Sequence, residues 1–385
     1  MRRGLKFTAS LLLIIPMLTS CIVFREARAL IKHAPSIRDG QLFAHDTIGN
    51  NPDSTFHFAE QPMNKRVLDT LKFTFNNYGK PVKDKTFAEY TCMDGGASAF
   101  IIVQNDTIKY EHYNGWLKKT DNVNIFSVSK SITALMCGIA LKEGKIRSID
   151  DCVTDYIPEL RTADEHFQRL KIRHLLNMQA GLKFKENYSN PFRSMALLYM
   201  GHDMVAQIKK LKFKDEPGTK YEYNSMTTAI LSYVLERATS TKYATYLSEK
   251  LWKPLGMEFR ATVTLDSKKH RNAKSYGGIN TNVRDLAKIG RLVLNNGNWN
   301  GRQIVDSAWI AQMYVPAMKD TKDNYSLGWY NFTHSKTISA YGLFGQMIIV
   351  YPKYNVVAAR LGENKWCEYD VLVRNTVDLL EKRKH

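Results

Sequence analysis

The sequence predicts an α+β fold in which an antiparallel sheet flanked by helices is interrupted by an all-helical lobe, and three observations predict it. Short β-rich runs occur far apart in the chain, at 97–113 and again between 326 and 361. Residues 150–270 between them read mostly as helical patterns, broken at Pro158, Gly181, Pro191 and Pro217-Gly218. The length of 385 residues exceeds the roughly 100–200 of a usual domain, which leaves room for a sheet domain and an inserted lobe. Hydrophobic content of 44% and charged content of 24% exclude collagen-like, disordered and multi-spanning membrane chains.

The amino terminus has the order of an export signal. Arg2, Arg3 and Lys6 precede an apolar run over 9–18, and Thr19-Ser20-Cys21 follows Leu18. Leu18-Thr19-Ser20-Cys21 resembles the lipobox of bacterial lipoproteins, which implies cleavage before Cys21 and diacylation of its sulfur. An uncleaved anchor over 8–24 and a plain cleaved signal are the alternatives; about 17 apolar residues fall short of the roughly 20 of a spanning helix. Each reading puts the body outside the cytoplasm, and the lipoprotein reading puts it in the bacterial envelope with the membrane as partner. Residues 1–20 are thus read as signal and 21–60 as lipidation site and linker, since 22–56 show no period and carry Pro35, Gly40 and Pro52.

The discontinuous sheet domain is assigned to 61–149 and 271–385, with the helical lobe at 150–270. Two β-rich runs around Asn105-Asp106 read as a hairpin. Residues 126–144 change to helical spacing, with Ile132, Leu135, Met136, Ile139 and Ala140 recurring at three and four and Gly144 as a stop. Runs at 326–330, 337–341, 345–351 and 355–361 return to β character, and 369–382 reads as a closing helix. The two ends of the chain therefore share one sheet.

Charge and cysteines narrow the chemistry. The net charge of +18 raises the question of an anionic partner, but the basic residues are scattered and show no nucleic-acid-binding signature, so no nucleic acid is expected. Cys92, Cys137, Cys152 and Cys367 lack C-x-x-C spacing and predict neither a zinc site nor a disulfide framework. The sequence has no G-x-S-x-G elbow, H-E-x-x-H, Walker A or G-x-G-x-x-G, so no metal and no cofactor is expected.

Ser127-Val128-Ser129-Lys130 opens the helix that follows Phe126. A serine and a lysine three apart on a first helical turn share one face, so the ammonium can reach the hydroxyl. The hydroxyl needs a base to become a nucleophile, and a lysine can be that base once burial lowers its pKa. Pro217-Gly218-Thr219-Lys220-Tyr221-Glu222-Tyr223-Asn224-Ser225 is the second candidate segment, a turn leading into a helical run.

Together these segments resemble the serine hydrolases of the class C β-lactamase and penicillin-binding-protein superfamily. The resemblance runs over about 97–361 and includes His174-Leu175-Leu176-Asn177-Met178-Gln179-Ala180-Gly181, Leu251-Trp252-Lys253-Pro254-Leu255-Gly256-Met257 and Asp285-Leu286-Ala287-Lys288. It implies Ser127 as nucleophile with Lys130 and Tyr223 as the acid/base pair. Ser225 stands where the superfamily's Tyr-x-Asn motif has asparagine, a variant similar to the aminohexanoate-oligomer hydrolase branch and to esterase-like relatives; its hydroxyl is an auxiliary hydrogen-bonding candidate. The Lys/His-Thr/Ser-Gly motif is missing in literal form, and Lys336-Thr337-Ile338 lacks its glycine. By order, Gly342-Leu343-Phe344-Gly345-Gln346 takes its place. The resemblance then implies an oxyanion hole of the Ser127 and Gln346 backbone N–H groups, with Gly345 allowing close approach and Phe344 beside the substrate. Apolar Leu343 at the basic position counts against β-lactams and D-Ala-D-Ala peptides. The expectation is an exported serine hydrolase acting on a small-molecule or peptide amide or ester, with a silent cell-wall-peptide binder or a β-lactamase or D,D-peptidase as the alternatives.

Overall fold

The computed structural model describes residues 35–60, 64–93, 95–187, 194–318 and 324–382. Residues 1–34, and with them the expected export signal and Cys21, lie outside the described residues. In chain order the strands are β1 (His45–Ile48), β2 (Ala59–Glu60), β3 (Lys72–Asn77), β4 (Lys80–Thr86), β5 (Ser98–Gln104), β6 (Thr107–Asn114), β7 (Val123–Asn124), β8 (Ala261–Thr264) and β9 (Ile279–Thr281). There follow β10 (Asn298–Trp299), β11 (Arg302–Gln303), β12 (Tyr325–Ser326), β13 (Trp329–Phe332), β14 (Thr337–Gly342), β15 (Gln346–Tyr351) and β16 (Val356–Gly362). Among the described residues the four longest helices are α1 (Val128–Lys142), α2 (Ser225–Thr239), α3 (Val283–Leu294) and α4 (Tyr369–Lys382).

Among the described residues the main sheet runs β12-β13-β14-β15-β16-β5-β6-β2. It is antiparallel throughout except where β2 joins β6 in parallel. The pairing of β16 with β5, Val357 opposite Val103 and Ala359 opposite Ile101, joins the two ends of the chain as the sequence predicts. The fold class is α+β.

Period-two alternation decides what each face of this sheet covers. Ile101, Val103, Ile348, Val350, Val357 and Ala359 point into a core shared with α1 and α3. Phe100, Ile102, Met347, Ile349 and Ala358 point the other way, onto Leu372, Val373 and Val377 of α4 and Tyr90 of the short helix Phe87–Cys92. Both faces are apolar, so the central strands read as nearly continuous hydrophobic runs. Gly290 lets α3 lie close on the sheet: a β-carbon there would sit 2.4 Å from Val357 Cγ1 and 2.9 Å from Ile348 Cγ2.

Residues 35–60, expected to be linker, are folded into the body instead. β1 pairs with β8 in a second sheet of order β1-β8-β9-β7, and Ile37, Ile48 and Phe58 are buried. A four-residue strand is too short to show a period, and its partner β8 lies far along the chain, inside the stretch read as all-helical. The hairpin of β3 and β4 is a further addition, resting on Tyr90 through Phe73 and Phe75. Among the described residues no disulfide joins the cysteines at 92, 137, 152 and 367.

The signature segments outside the first helical turn act as joints. Asp285 accepts hydrogen bonds from the Glu258 and Phe259 amides at 2.7 and 3.0 Å, and fully buried Lys288 donates to Gly256 O at 3.0 Å and to Asp285 Oδ1 at 3.1 Å. The Asp285–Lys288 turn thus ties α3 to the Pro254–Met257 corner. Gly290→Ala should lower the thermal unfolding midpoint, because the overpacking cost of about 1–3 kcal/mol outweighs the roughly 1 kcal/mol gained in helix propensity. An unchanged or higher midpoint would show that Val357 and Ile348 give way.

Candidate active site

The chain reaches the first turn of α1 through a strained corner. Phe126 has φ 44, a left-handed conformation that a bulky side chain adopts only when its surroundings impose it. They do: Phe126 N donates to Asn124 Oδ1 at 2.7 Å, while the Val128 and Ser129 amides close onto Ile125 O and Phe126 O at 3.2 and 2.9 Å. Ser127 occupies the cap position with helical dihedrals, and its side chain caps nothing. Its Oγ is therefore free for another partner.

That partner is Lys130. Its Nζ donates to Ser127 Oγ at 2.8 Å and to the Tyr276 carbonyl at 2.8 Å. The residue is 2% exposed, and burial lowers the ammonium pKa to about 8; the Glu186 carboxylate acts in the opposite direction. A lysine in this state releases its proton near neutral pH, as a general base must. The Tyr276 carbonyl orients it, and no motif announced that residue.

Tyr223 approaches the same hydroxyl from the lobe. Its ring centroid lies 5.0 Å from Lys130 Nζ, and burial above all, with the Glu186 charge in the same direction and the Ser127 hydroxyl against it, pushes its pKa above the ordinary tyrosine range. The segment that carries it hangs on the His174–Gly181 signature: Glu222 N donates to Met178 O at 2.8 Å, Gly218 N to Gln179 O at 2.7 Å, and Asn224 N to Met178 Sδ at 3.5 Å. Asn224 caps α2, its Oδ1 accepting from Met226 N at 2.8 Å. Tyr223 thereby stands just outside the helix, aimed at Ser127.

Ser225 turns to a residue the sequence did not single out. Its Oγ donates to Glu186 Oε1 at 2.5 Å and its N–H to Glu186 Oε2 at 2.9 Å. Glu186 thus places a carboxylate on the amino terminus of α2, where the helix dipole favours it, and within electrostatic reach of Lys130 and Tyr223. It lies in a segment without regular secondary structure, so no periodicity pointed to it.

The turn between β14 and β15 supplies the remaining wall. Gly345, which the order of the sequence put against the nucleophile, faces the other side of the sheet: a β-carbon there would sit 2.8 Å from Arg360 Nη1 and 3.0 Å from the Tyr369 ring. The glycine beside the nucleophile is Gly342, whose β-carbon would lie 2.5 Å from Ile125 O. Gln346 is fully buried, with its side chain bonded to both the N–H and the carbonyl of Gly362. Phe344 packs edge-on against Phe126 with centroids 5.5 Å apart, and half-buried Leu343 lies between it and Gly342 in the turn. Tyr325 and Tyr330 extend an aromatic wall from Tyr223, which stacks on Tyr330 at 6.5 Å, while Tyr341 beyond them packs against the core under α4. Lys336 sits exposed in the β13–β14 turn. Among the described residues no group of His, Cys, Asp and Glu could hold a metal ion.

The structure therefore brings Ser127, Lys130 and Tyr223 together, adds Glu186 and Tyr276, and places Ser225 one contact back. A serine hydroxyl held between a buried lysine and a phenol can be deprotonated, attack a carbonyl and pass the proton on.

Comparison with known proteins gives the family and the fold relatives. The family model described as Beta-lactamase matches residues 84–363. A 6-aminohexanoate-dimer hydrolase of Paenarthrobacter ureafaciens is 26% identical over 308 residues, covering 73% of this chain and 75% of the relative. A Bacillus anthracis structure provisionally named a 6-aminohexanoate-dimer hydrolase superposes with a TM-score of 0.78 at 21% identity, covering 95% of this chain and 96% of that one. A family VIII carboxylesterase structure has a TM-score of 0.60 at 19% identity, covering 73% and 90%.

If Lys130 acts as the base, the rate should rise with pH through about 8 as the ammonium loses its proton. Glu186 favours the charged ammonium, so Glu186→Gln should move that limb to lower pH. A limb that stays in place in the pH profile of kcat/KM would remove Glu186 from the electrostatics of the site.

Proposed function

The chain belongs to the β-lactamase family, and within it we propose an exported serine hydrolase that cleaves an amide or ester bond through an acyl-enzyme on Ser127. One observation carries the reading: buried Lys130 donates to Ser127 Oγ at 2.8 Å, with the Tyr223 ring centroid 5.0 Å from the same ammonium.

In the proposed reaction the Lys130–Tyr223 pair takes the Ser127 proton as Oγ attacks the substrate carbonyl. The carbonyl electron pair moves onto oxygen, where the Ser127 N–H and an amide of the β14–β15 turn receive it. The Leu343 N–H follows the glycine that lies on Ile125, which favours it over the Gln346 N–H expected from sequence order. Each such donor contributes about 3–4 kcal/mol. Tyr223 then protonates the leaving group, and water hydrolyses the acyl-enzyme with the same pair as base. The two groups share these protons, so the role belongs to the pair.

The substrate side of the site is aromatic and apolar, through Tyr223, Tyr330, Leu343 and Phe344. That lining suits a flexible, apolar chain next to the scissile bond, and the relative named for a 6-aminohexanoate dimer supports a linear amide. Export and the lipid anchor at Cys21 rest on the sequence.

Intact-mass measurement after brief exposure to a fluorophosphonate should show a covalent increment on the wild type and none on Ser127→Ala. An unmodified, well-folded wild type would overturn the mechanism. A panel of linear amides, aryl esters and β-lactams then ranks the substrate classes. For the anchor, an alkyne-fatty-acid label should be incorporated by the wild type in a bacterial host and lost in Cys21→Ser; an unlabelled wild type would remove it.

A further inference from the structure

Arg360 is fully buried on β16, on the side of the main sheet away from Ser127. Its neighbours at 356 and 358 join the core under α4, whereas those at 357 and 359 face α1 and α3, and alternation puts 360 with the first pair. The guanidinium reaches past the start of β15. Nη1 donates to the Phe344 and Gly345 carbonyls at 2.9 Å each, and Nη2 donates to Asn364 O at 2.8 Å. Cζ lies 3.9 Å from the centroid of the Tyr369 ring.

The turn that it grips does not rest in an easy conformation. Phe344 has φ 62 and Gly345 φ 77, two successive left-handed residues of which only the second is a glycine. Such a backbone persists where its surroundings impose it, and hydrogen bonds from a charged donor are the strong kind. Space has been made for that donor: β-carbons on Gly345 and Gly362 would lie 2.8 and 2.4 Å from guanidinium nitrogens. The front of the same turn touches the nucleophile's corner through Phe344 on Phe126 and Gly342 on Ile125.

We propose that Arg360 is a positioning residue, a clamp behind the β14–β15 turn that holds its amides in place to receive the oxyanion. The proposal rests on the acyl-enzyme reading of Ser127. Loss of the clamp should weaken the step in which negative charge develops and spare binding, and it should leave Lys130, on the opposite face, unchanged.

The test measures inactivation of the full chain by an aryl phosphonate ester, resolving the saturation constant from the limiting rate, for wild type, Arg360→Met and Arg360→Lys. In Arg360→Met the limiting rate should fall about 100- to 1,000-fold, as for a lost oxyanion donor, with the saturation constant and the pH limb unmoved. Arg360→Lys keeps the charge without the planar fork and should recover part of the rate. A folded Arg360→Met that reacts at the wild-type rate overturns the clamp, and so does a proportional loss of binding and rate. If Arg360→Met does not fold, Arg360→Lys decides: a reduced limiting rate at constant saturation supports the clamp, and a wild-type rate overturns it. A wild type that takes no phosphonate at all overturns the acyl-enzyme reading itself, which separates the two failures.

Discussion

An ammonium group taken out of water is the constraint on which the site depends. Lys130 is surrounded by α1, the Tyr276 segment and the Tyr223 segment, and its two hydrogen bonds go to Ser127 and to a backbone carbonyl. Desolvation makes the neutral amine accessible, and the nearby Glu186 limits how far that goes. The helix α1 supplies the lysine, and the Tyr223 and Tyr276 segments supply the cover that dries it. Neither part alone would make a base of it.

The same division explains the segments outside the first helical turn. The His174–Gly181 stretch holds the Pro217–Ser225 stretch through Met178 and Gln179, and so fixes where Tyr223 points. The Asp285–Lys288 turn holds the Pro254–Met257 corner through buried ionic and backbone hydrogen bonds. These groups touch no reacting atom in the proposed chemistry. They hold in place the groups that do.

The β14–β15 turn shows how one short segment serves two faces. Its front rests on the corner at Phe126, and its back is bonded to Arg360. Gly342 and Gly345, close neighbours in the sequence, have opposite duties: the first admits Ile125 and the second admits the guanidinium. Sequence order alone assigned the close approach at the nucleophile to Gly345.

Local pattern determined the α+β class, the helix at 126–144, the shared sheet and the candidate pair of Ser127 and Lys130, because helical spacing, strand alternation and the three-residue offset of serine and lysine are properties of neighbouring residues. Tyr223 was legible only through the family resemblance of its segment, since a tyrosine beside a turn carries no chemistry by itself. Tertiary structure decided the rest. The pairing of β1 with β8, the carboxylate of Glu186 on Ser225, the carbonyl of Tyr276 and the facing of Gly342 and Gly345 all join residues distant in the chain or depend on a left-handed turn. No period along the sequence encodes them, and only tertiary packing brings them together.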